Sequence, residues 1–266
     1  VIHTATLHKP HVGSHSRAEF VDTNITGTLN LLEEAVNAGV SRFLFTSTTS
    51  TFGLALTPAE GEPAAWITED VQPVPRNIYG VSKTAAENVC QLIAQDHDLP
   101  VLILRTSRFF PELDDSDGVR SAYPNLNLKV NELLHRRVDL EDIVAAVELG
   151  LDRAPAIGFG RYLITATTPF GAEDCIAARD DLPALVRRLY PEYEEIYAGL
   201  GWQMFPSIDR IYVNEHARGA LGWQPRWDFG YALKRLAAGE DPRSELARTI
   251  GAKGYHAETT GVYTVR

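Results

Sequence analysis

From Arg42 to Gly53 the chain reads RFLFTSTTSTFG. A short apolar run opens this stretch, and six consecutive hydroxyl residues follow at positions 46–51. The apolar run predicts a buried β-strand over 42–47. A hydroxyl group directly after a strand can hydrogen-bond a substrate oxygen, although a solvated Ser/Thr turn is the usual fate of such a run. This stretch indicates a strand whose carboxyl end carries polar groups.

Strands and helices alternate around this stretch. Apolar runs predict further buried strands over 1–5, 101–105 and 161–166. Helical spacing of apolar residues predicts helices over 24–38, 78–96 and 139–153, the first ending at a C-cap residue, Gly39. Continuous apolar strands that alternate with helices are typical of a parallel sheet covered on both faces. The sequence therefore predicts an α/β fold with a doubly wound parallel sheet, which binds ligands beyond the carboxyl ends of its strands.

Composition narrows the class of protein. The 266 residues suit one large α/β domain or two small ones. With 25 basic and 35 acidic residues, the net charge of −10 argues against a nucleic acid or an anionic membrane as the main partner. Cys90 and Cys175 cannot form a disulfide framework, and no run approaches the length of a membrane span or resembles a secretory signal. We therefore expect a cytoplasmic protein that acts on a small molecule.

The pair Tyr79 and Lys83 is the sharpest chemical signal. On a helix, residues four apart lie one turn apart on the same face. A nearby ammonium favours the phenolate form of tyrosine, and such a tyrosine can exchange a proton with an alcohol or carbonyl. A surface tyrosine and lysine on an amphipathic helix is the alternative. The order of a strand, a hydroxyl run, this pair and another buried strand favours the catalytic interpretation.

In this order the motifs resemble those of the extended short-chain dehydrogenase/reductase family, the NAD-dependent epimerase/dehydratase group. The resemblance covers nearly the whole chain, and it implies a Rossmann-like fold that uses NAD or NADP. Besides the hydroxyl run and the Tyr/Lys pair, the similar segments are the strand at 1–5, Asn24-Ile25-Thr26-Gly27-Thr28, Val138-Asp139-Leu140-Glu141-Asp142 and Leu221-Gly222-Trp223-Gln224-Pro225.

The resemblance implies roles for individual residues. Tyr79 would be the general acid/base, Lys83 would bind the nicotinamide ribose and lower the tyrosine pKa, and Thr48 would be the third catalytic residue. Asn24 would anchor the neighbouring helix start. The implied cofactor-binding residues are Ala5, Thr6, Asn24, Ser47, Tyr79, Lys83, Thr106 and Ser107, and the implied substrate-binding residues are Thr49 and Arg108.

Two groups of residues allow alternative interpretations. Arg108 could bind a phosphate or carboxylate with two parallel hydrogen bonds, or it could pair with the acidic run Asp114-Asp115. Spacings of three and four could allow Zn²⁺ binding by His3, His8, His11 and His15. Because hydride transfer through nicotinamide needs no metal, we expect a polar substrate or lid loop there and no metal.

The resemblance implies an NAD(P)-dependent epimerase or oxidoreductase that moves hydride between nicotinamide and a polar substrate, the family's commonest class being nucleotide sugars. The family's 4,6-dehydratases carry Thr-Asp-Glu where this chain has Thr48-Thr49-Ser50, which disfavours dehydration. The alternatives are a non-catalytic cofactor-sensing or interaction protein on the same fold, and an inert fragment.

The Gly-rich motif that cradles the cofactor pyrophosphate in this family does not occur in the sequence. Because the first residue is Val1 and already reads as a strand, we expect that roughly 60 residues, two βα units, precede it.

A division into two domains is also expected. Residues 1–107 with about 139–166 would form a truncated dinucleotide-binding domain. About 108–138 and 167–266 would form a smaller C-terminal substrate domain. The family often dimerises through the helices represented here by 24–38 and 78–96, so by analogy we expect a homodimer.

Overall fold

The computed structural model describes residues 1–114 and 116–251. Its strands are β1 (Ile2–His3), β2 (Phe43–Thr48), β3 (Ala65–Ile67), β4 (Val101–Thr106), β5 (Arg108–Phe109), β6 (Arg137–Val138), β7 (Phe159–Ile164) and β8 (Arg210–Tyr212). Its helices are α1 (Arg17–Phe20), α2 (Gly27–Asn37), α3 (Ile78–His97), α4 (Asp117–Ala122), α5 (Asn125–Glu132), α6 (Leu140–Ile157), α7 (Cys175–Asp180), α8 (Leu182–Leu189), α9 (Tyr193–Leu200), α10 (Glu215–Leu221), α11 (Phe229–Ala237) and α12 (Glu245–Ile250). A π-helical segment, Val21–Thr26, joins α1 to α2.

The main sheet of the described residues is parallel, with strand order β1-β2-β4-β7. Thr48 at the end of β2 pairs with Thr106 at the end of β4, and Thr106 pairs with Ile164 at the end of β7. The carboxyl ends of these three strands therefore lie side by side, where ligands of open α/β sheets bind.

Helices cover both faces of this sheet. Alternate residues of a strand point to opposite faces, and one face packs Phe43, Phe45, Val101 and Ile103 against α2 and α3. The other face packs Leu44, Leu102, Leu104 and Ile164 against α6 and α10. The predicted α/β fold with a doubly wound, Rossmann-like parallel sheet is confirmed.

Two predicted strands differ from the observed ones by more than one residue at an end. β1 spans two residues rather than five because the chain leaves the sheet after His3, and Thr6 and Leu7 bond to Asn24 instead of to β2. β7 begins at Phe159, not at 161, because the backbone N–H of Val101 donates to the carbonyl of Gly158 and pairing starts there. Gly39, at φ +64°, has the left-handed conformation expected after a helix.

A second apolar cluster lies outside the sheet. It includes Phe110, Leu134, Phe170, Val186 and Phe229. Ala64 also packs there, and β3 pairs in parallel with β8, so the segment after the hydroxyl run contacts the C-terminal part of the chain. The two-domain division stays a prediction, and residue 115 and residues 252–266 of its C-terminal part lie outside the described residues.

Candidate active site

Helix α3 begins at Ile78, after the capping residue Asn77, and its first turn lies against the hydroxyl run at the end of β2. The Asn77 side chain accepts a hydrogen bond of 3.0 Å from the backbone N–H of Gly80. This start places Tyr79 in the first turn and Lys83 one turn later. Both are buried, at 2% exposure each, so the interpretation of this pair as a surface tyrosine and lysine does not hold.

Gly80 allows the first turn of α3 to approach the hydroxyl run closely. A Cβ at this position would lie 2.7 Å from the backbone carbonyl oxygen of Ser50. Side chains do not tolerate such a distance, and a backbone carbonyl cannot swing aside as a flexible side chain would. The glycine between Tyr79 and Lys83 therefore brings the pair against residues 48–51.

Lys83 is fixed under the hydroxyl run. Its Nζ donates a hydrogen bond of 2.8 Å to the carbonyl of Thr46 and lies 3.8 Å from the centroid of the Phe45 ring. Burial lowers the pKa of Lys83 from 10.5 to about 7, and the negative charge of Glu87 partly opposes this shift. Lys83 can therefore change its protonation state near neutral pH.

Of the hydroxyl run, Thr48 has the geometry of a hydrogen-bond donor to a ligand. Its Oγ1 accepts from the backbone N–H of Ser50 at 3.1 Å, and no described residue accepts its hydroxyl hydrogen. Thr49 is half-buried. The hydroxyl of Ser47 is committed within the protein, since it donates to Glu87 Oε1 at 2.6 Å.

At the end of β4, the hydroxyl of Thr106 donates to the carbonyl of Ser47 at 3.0 Å. Ser107 differs. It is 3% exposed, and its hydroxyl has no hydrogen-bond partner among the described residues. A buried hydroxyl without a partner costs free energy unless a ligand or water satisfies it.

Arg108 lies in an ion-pair network. It pairs with Asp114, and its Nη1 lies 3.2 Å from Glu132 Oε1. Arg137 shares the fully buried Glu132, donating from Nε at 2.6 Å. The pairing of Arg108 with the acidic run, one of the two expected interpretations, is thus observed for Asp114. Asp115 lies outside the described residues.

Asn24 joins the end of β1 to α3. Its Oδ1 accepts from the Thr6 hydroxyl at 2.9 Å and from the Leu7 N–H at 2.7 Å. Its Nδ2 donates to the Leu7 carbonyl at 3.0 Å and to Ser82 Oγ at 2.9 Å. All four hydrogen-bonding positions of this buried amide are used inside the protein, while Ala5 beside it is exposed.

The four N-terminal histidines do not converge. His3 is buried, its Nε2 lies 3.0 Å from the Thr28 hydroxyl, and its pKa is lowered to about 4 by burial and by the charge of Lys83. The rings of His11 and His15 are 5.1 Å apart, whereas the ring of His8 lies 5.0 Å from that of Tyr79. Within residues 1–114 and 116–251, no group of three or more His, Cys, Asp or Glu side chains is arranged to hold a metal ion.

Two of the segments that resemble family motifs, 138–142 and 221–225, meet on the face of the sheet that α6 and α10 cover. Asp142, in the first turn of α6, accepts hydrogen bonds from the backbone N–H groups of Arg226 and Trp227 at 2.8 and 2.9 Å. The indole N–H of Trp223 donates to the Asp142 carbonyl at 3.0 Å. These hydrogen bonds join the two segments and hold residues 221–227 against the start of α6.

Sequence reasoning missed Glu87 and Arg105. Arg105 contacts both carboxylate oxygens of Glu87, with nitrogen–oxygen distances of 2.7–3.1 Å, and both side chains are buried. The signal for Glu87 was its spacing, since it lies four residues beyond Lys83 on the same helix face. Arg105 carries no comparable signal in an otherwise apolar strand.

The residues present fit the nicotinamide end of a dinucleotide. The buried, unsatisfied hydroxyl of Ser107 lies at the edge of the sheet where such cofactors bind. Lys83 is bound to β2, the strand next to the one that precedes Ser107. One of its three N–H donors is used by the carbonyl of Thr46, which leaves two for a ligand. The parallel sheet and the buried Tyr/Lys pair agree with the fold and the residue pair that the resemblance to short-chain dehydrogenases/reductases implies.

Comparison with known proteins gives the family. The model of the NAD dependent epimerase/dehydratase family matches residues 1–141. The low-salt glycan biosynthesis protein Agl12 of Haloferax volcanii is 28% identical over 228 residues, which are 81% of this chain and 66% of that protein. A UDP-glucose 4-epimerase of Rhizobium leguminosarum bv. trifolii is 31% identical over 264 residues, covering 88% of this chain and 75% of that protein. The chain belongs to the NAD dependent epimerase/dehydratase family, and the expected resemblance is confirmed.

A solved structure agrees with this fold. RMD from Pseudomonas aeruginosa, complexed with NADPH, superposes with a TM-score of 0.56 at 22% identity, covering 90% of this chain and 80% of that one. The matched part of this chain spans slightly less than two thirds of the Haloferax relative's length. No helix among the described residues is long and apolar enough to cross a membrane.

Proposed function

We propose that this protein is an NAD(P)-dependent epimerase or oxidoreductase that acts on an alcohol or ketone carbon of a polar substrate. The observation that carries the proposal is the buried pair Tyr79 and Lys83, held against the hydroxyl run by Gly80 and by the bond from Lys83 to Thr46. If Tyr79 and Lys83 were ordinary surface residues, the first turn of α3 would not need to lie so close to the end of β2.

The proposed roles follow from the chemistry of each group. Tyr79 accepts the proton of the substrate hydroxyl and returns it when the carbonyl is reduced. The Lys83 ammonium, one turn away, favours the phenolate form of Tyr79. Thr48 donates its free hydroxyl hydrogen to the substrate oxygen and so holds it beside Tyr79. Thr49 and Arg108 remain proposed substrate contacts, with Arg108 positioned through its pairs with Asp114 and Glu132.

The proposed cofactor is NAD or NADP, which supplies the hydride acceptor and donor when bound. Lys83 would hydrogen-bond the nicotinamide ribose, and Thr106 and Ser107 would line the nicotinamide end. Support for this placement is the unsatisfied hydroxyl of Ser107. Ala5, Thr6, Asn24 and Ser47 belong to the same proposed site. Asn24 and Ser47 act there through contacts within the protein.

A nucleotide sugar is the proposed substrate class. The epimerase of Rhizobium leguminosarum is named for UDP-glucose, and the chain shares its family. Because positions 48–50 carry hydroxyl groups and no carboxyl group, we propose epimerisation or carbonyl reduction rather than 4,6-dehydration. Elimination needs an additional acid and base next to the substrate.

We also propose the two-domain arrangement and a homodimer. Support for the dimer is a set of apolar side chains exposed on α2 and α3, namely Leu31, Val81 and Leu92, at 44–52% exposure. Sedimentation of the wild-type protein and of Leu92→Glu tests it. A wild-type protein that sediments as a monomer removes this part of the proposal.

The enzymatic proposal is tested with the full-length natural protein. Binding of NAD⁺ and NADP⁺ is measured by calorimetry, and UDP-, dTDP- and GDP-sugars are then screened for conversion by chromatography. We expect Tyr79→Phe to lower turnover at least about 1,000-fold because the proton acceptor is lost, with the cofactor Kd changed by less than about threefold. Tyr231→Phe removes a hydroxyl that accepts a hydrogen bond from Arg226; it serves as the control and keeps full turnover.

The alternatives predict other outcomes. A non-catalytic cofactor sensor binds the dinucleotide but converts no sugar in the screen. An inert fragment binds neither. If Tyr79→Phe turns over at the wild-type rate, Tyr79 has no part in the chemistry and the proposal is wrong.

A further inference from the structure

The carboxylate of Glu87 lies at the centre of a buried network. Glu87 is 1% exposed and accepts a hydrogen bond of 2.6 Å from the hydroxyl of Ser47. Arg105 binds the same carboxylate from Nε and Nη2, and Arg161 approaches with its Nε 3.5 Å from Oε2. Burying an ion pair costs more desolvation than a hydrophobic pair would, so its presence here points to a role beyond stability.

The network adjoins the proposed catalytic pair. Tyr79, Lys83 and Glu87 follow one another at intervals of four residues on α3, and each is no more than 2% exposed. Two consecutive residues of β2 hold the two charged groups, since Lys83 donates to the carbonyl of Thr46 and Ser47 donates to Glu87. The carboxylate is therefore fixed one helical turn beyond the ammonium.

We propose that Glu87 is a positioning residue for the proposed reaction, and that its carboxylate, fixed by Ser47 and Arg105, keeps the buried ammonium of Lys83 charged beside Tyr79. This inference rests on the proposed function. An ammonium deprived of water loses its proton readily unless a negative charge stands nearby. The bond to Thr46 and the Phe45 ring contribute only partial charges.

The other charged or titratable groups around Lys83 do not replace Glu87. His3 on β1 is neutral near pH 7, because its pKa is lowered to about 4. Cys90 on α3 is also neutral there, because burial raises its thiol pKa to about 12. Arg105 on β4 and Arg161 on β7 are cations and oppose the Lys83 charge. His8 packs on the Tyr79 ring.

The test measures the titration of Lys83 directly. The chain has five lysines, so ¹³C-lysine labelling gives few signals, and Lys83→Arg assigns the one from Lys83. We expect the wild-type Lys83 to titrate near pH 7, and we expect Glu87→Gln to lower the Lys83 pKa by about 1, because a negative charge one helical turn away is lost. At pH 7 the charged fraction then falls about fivefold. In the full-length enzyme, kcat should fall about as much, with its pH profile displaced by the same amount.

Further variants keep the test decisive. Glu87→Gln leaves Arg105 buried without its partner and could unfold the protein, so the double variant Glu87→Gln/Arg105→Gln, which replaces the ion pair by two amides, is measured alongside. Glu87→Asp keeps the charge and should restore a titration closer to wild type than to Glu87→Gln. Arg105→Gln alone should raise the Lys83 pKa. If Glu87 and Arg105 only stabilised the fold, the two single substitutions would not shift the Lys83 pKa in opposite directions.

Asn88→Ala is the control on the same helix; its side chain is exposed, and the substitution should leave the Lys83 titration unchanged. The proposal is overturned if the Lys83 pKa of the double variant lies within about 0.3 of its value in Arg105→Gln alone, because these two proteins differ only in the charge at position 87. Because this titration needs no substrate, it judges the role of Glu87 separately from the proposed enzymatic activity. If the wild-type enzyme converts no sugar but Glu87→Gln still lowers the Lys83 pKa, the proposed function is rejected and the influence of Glu87 on Lys83 is retained.

Discussion

The side-chain amide of Asn24 donates a hydrogen bond of 2.9 Å to the hydroxyl of Ser82, and Ser82 in turn donates to the backbone carbonyl of Tyr79 at 3.0 Å. The two residues are 58 positions apart in the chain and almost fully buried. Through this link the loop after β1, bonded to Asn24, is tied to the first turn of α3. The position of Tyr79 therefore depends on a contact between two helices as well as on its own cap.

Replacing Asn24 by alanine should destabilise the protein by about 2–4 kcal/mol, because several buried donors and acceptors lose their partner. Ser82→Ala should cost about 1–2 kcal/mol, and hydrogen exchange in the first turn of α3 should accelerate in both variants. Urea unfolding and exchange mass spectrometry measure these effects. Thr84→Ala is the control, since its hydroxyl bonds only within α3, to Gly80, and its cost should stay below about 1 kcal/mol. Equal costs for Ser82→Ala and Thr84→Ala would contradict the link.

Gly80→Ala should destabilise the protein by about 1–3 kcal/mol because the added methyl group would lie 2.7 Å from the Ser50 carbonyl. It should also lower kcat at least about tenfold, since the first turn of α3 and the hydroxyl run must separate. Gly199→Ala is the matched control. Gly199 lies in α9 with no atom within 4 Å of an added Cβ, so helix propensity should raise the free energy of unfolding by about 1 kcal/mol. Thermal unfolding and a turnover assay compare the two. A Gly80→Ala variant with wild-type stability and kcat would show that the close approach is dispensable.

Between pH 7 and 10.5, the free energy of unfolding contributed by Lys83 should rise with pH. The folded pKa is about 7 and the ordinary value is 10.5, so in this range the unfolded chain binds more protons at this site. Raising the pH from 7 to about 9 should therefore stabilise the wild type by about 2 kcal/mol relative to Lys83→Met. Lys129 also has a lowered pKa, about 8, but it is common to both proteins and cancels in their difference. Denaturant unfolding at both pH values measures the difference. Parallel pH curves for the two proteins would mean that the folded pKa of Lys83 is ordinary.

The sheet could be predicted from sequence because each central strand is a continuous apolar run. Residues Val101–Leu104 are buried on both faces, and apolar runs of this length that alternate with helices are typical of parallel sheets. The short β1 was predicted too long because its apolar residues do not reveal that Thr6 turns away to Asn24. Local patterns give the type of an element more reliably than its last residue, which depends on tertiary bonds.

The candidate site was predictable where its signal is local. Tyr79 and Lys83 are one helical turn apart, and the cap and Gly80 lie within the same segment. The partners of these residues were not predictable, because Glu87 meets Ser47 and Arg105 across 40 and 18 residues. Ser47 was expected to face a cofactor, yet its hydroxyl bonds to a carboxylate that composition and spacing alone do not connect to it.

Neutralising Glu132 should destabilise the fold far more than neutralising a surface carboxylate. Glu132 is fully buried, and although burial opposes the shift, Arg136, Arg137 and Arg108 hold its pKa well below the usual range. Glu132→Gln removes the carboxylate that pairs with the buried Arg137, and it leaves Arg108 and Arg136 only Asp114, so we expect a loss of about 3–5 kcal/mol by denaturant unfolding. Glu194 pairs with Arg187 at 2.6 Å on the surface, with both side chains about half exposed. Because solvent screens this exposed pair, Glu194→Gln should change the free energy of unfolding little. Because the substitution is the same, the comparison contrasts a buried carboxylate bound by three arginines with an exposed pair, and similar losses at the two sites would show that the buried network stabilises the fold no more than a surface ion pair does.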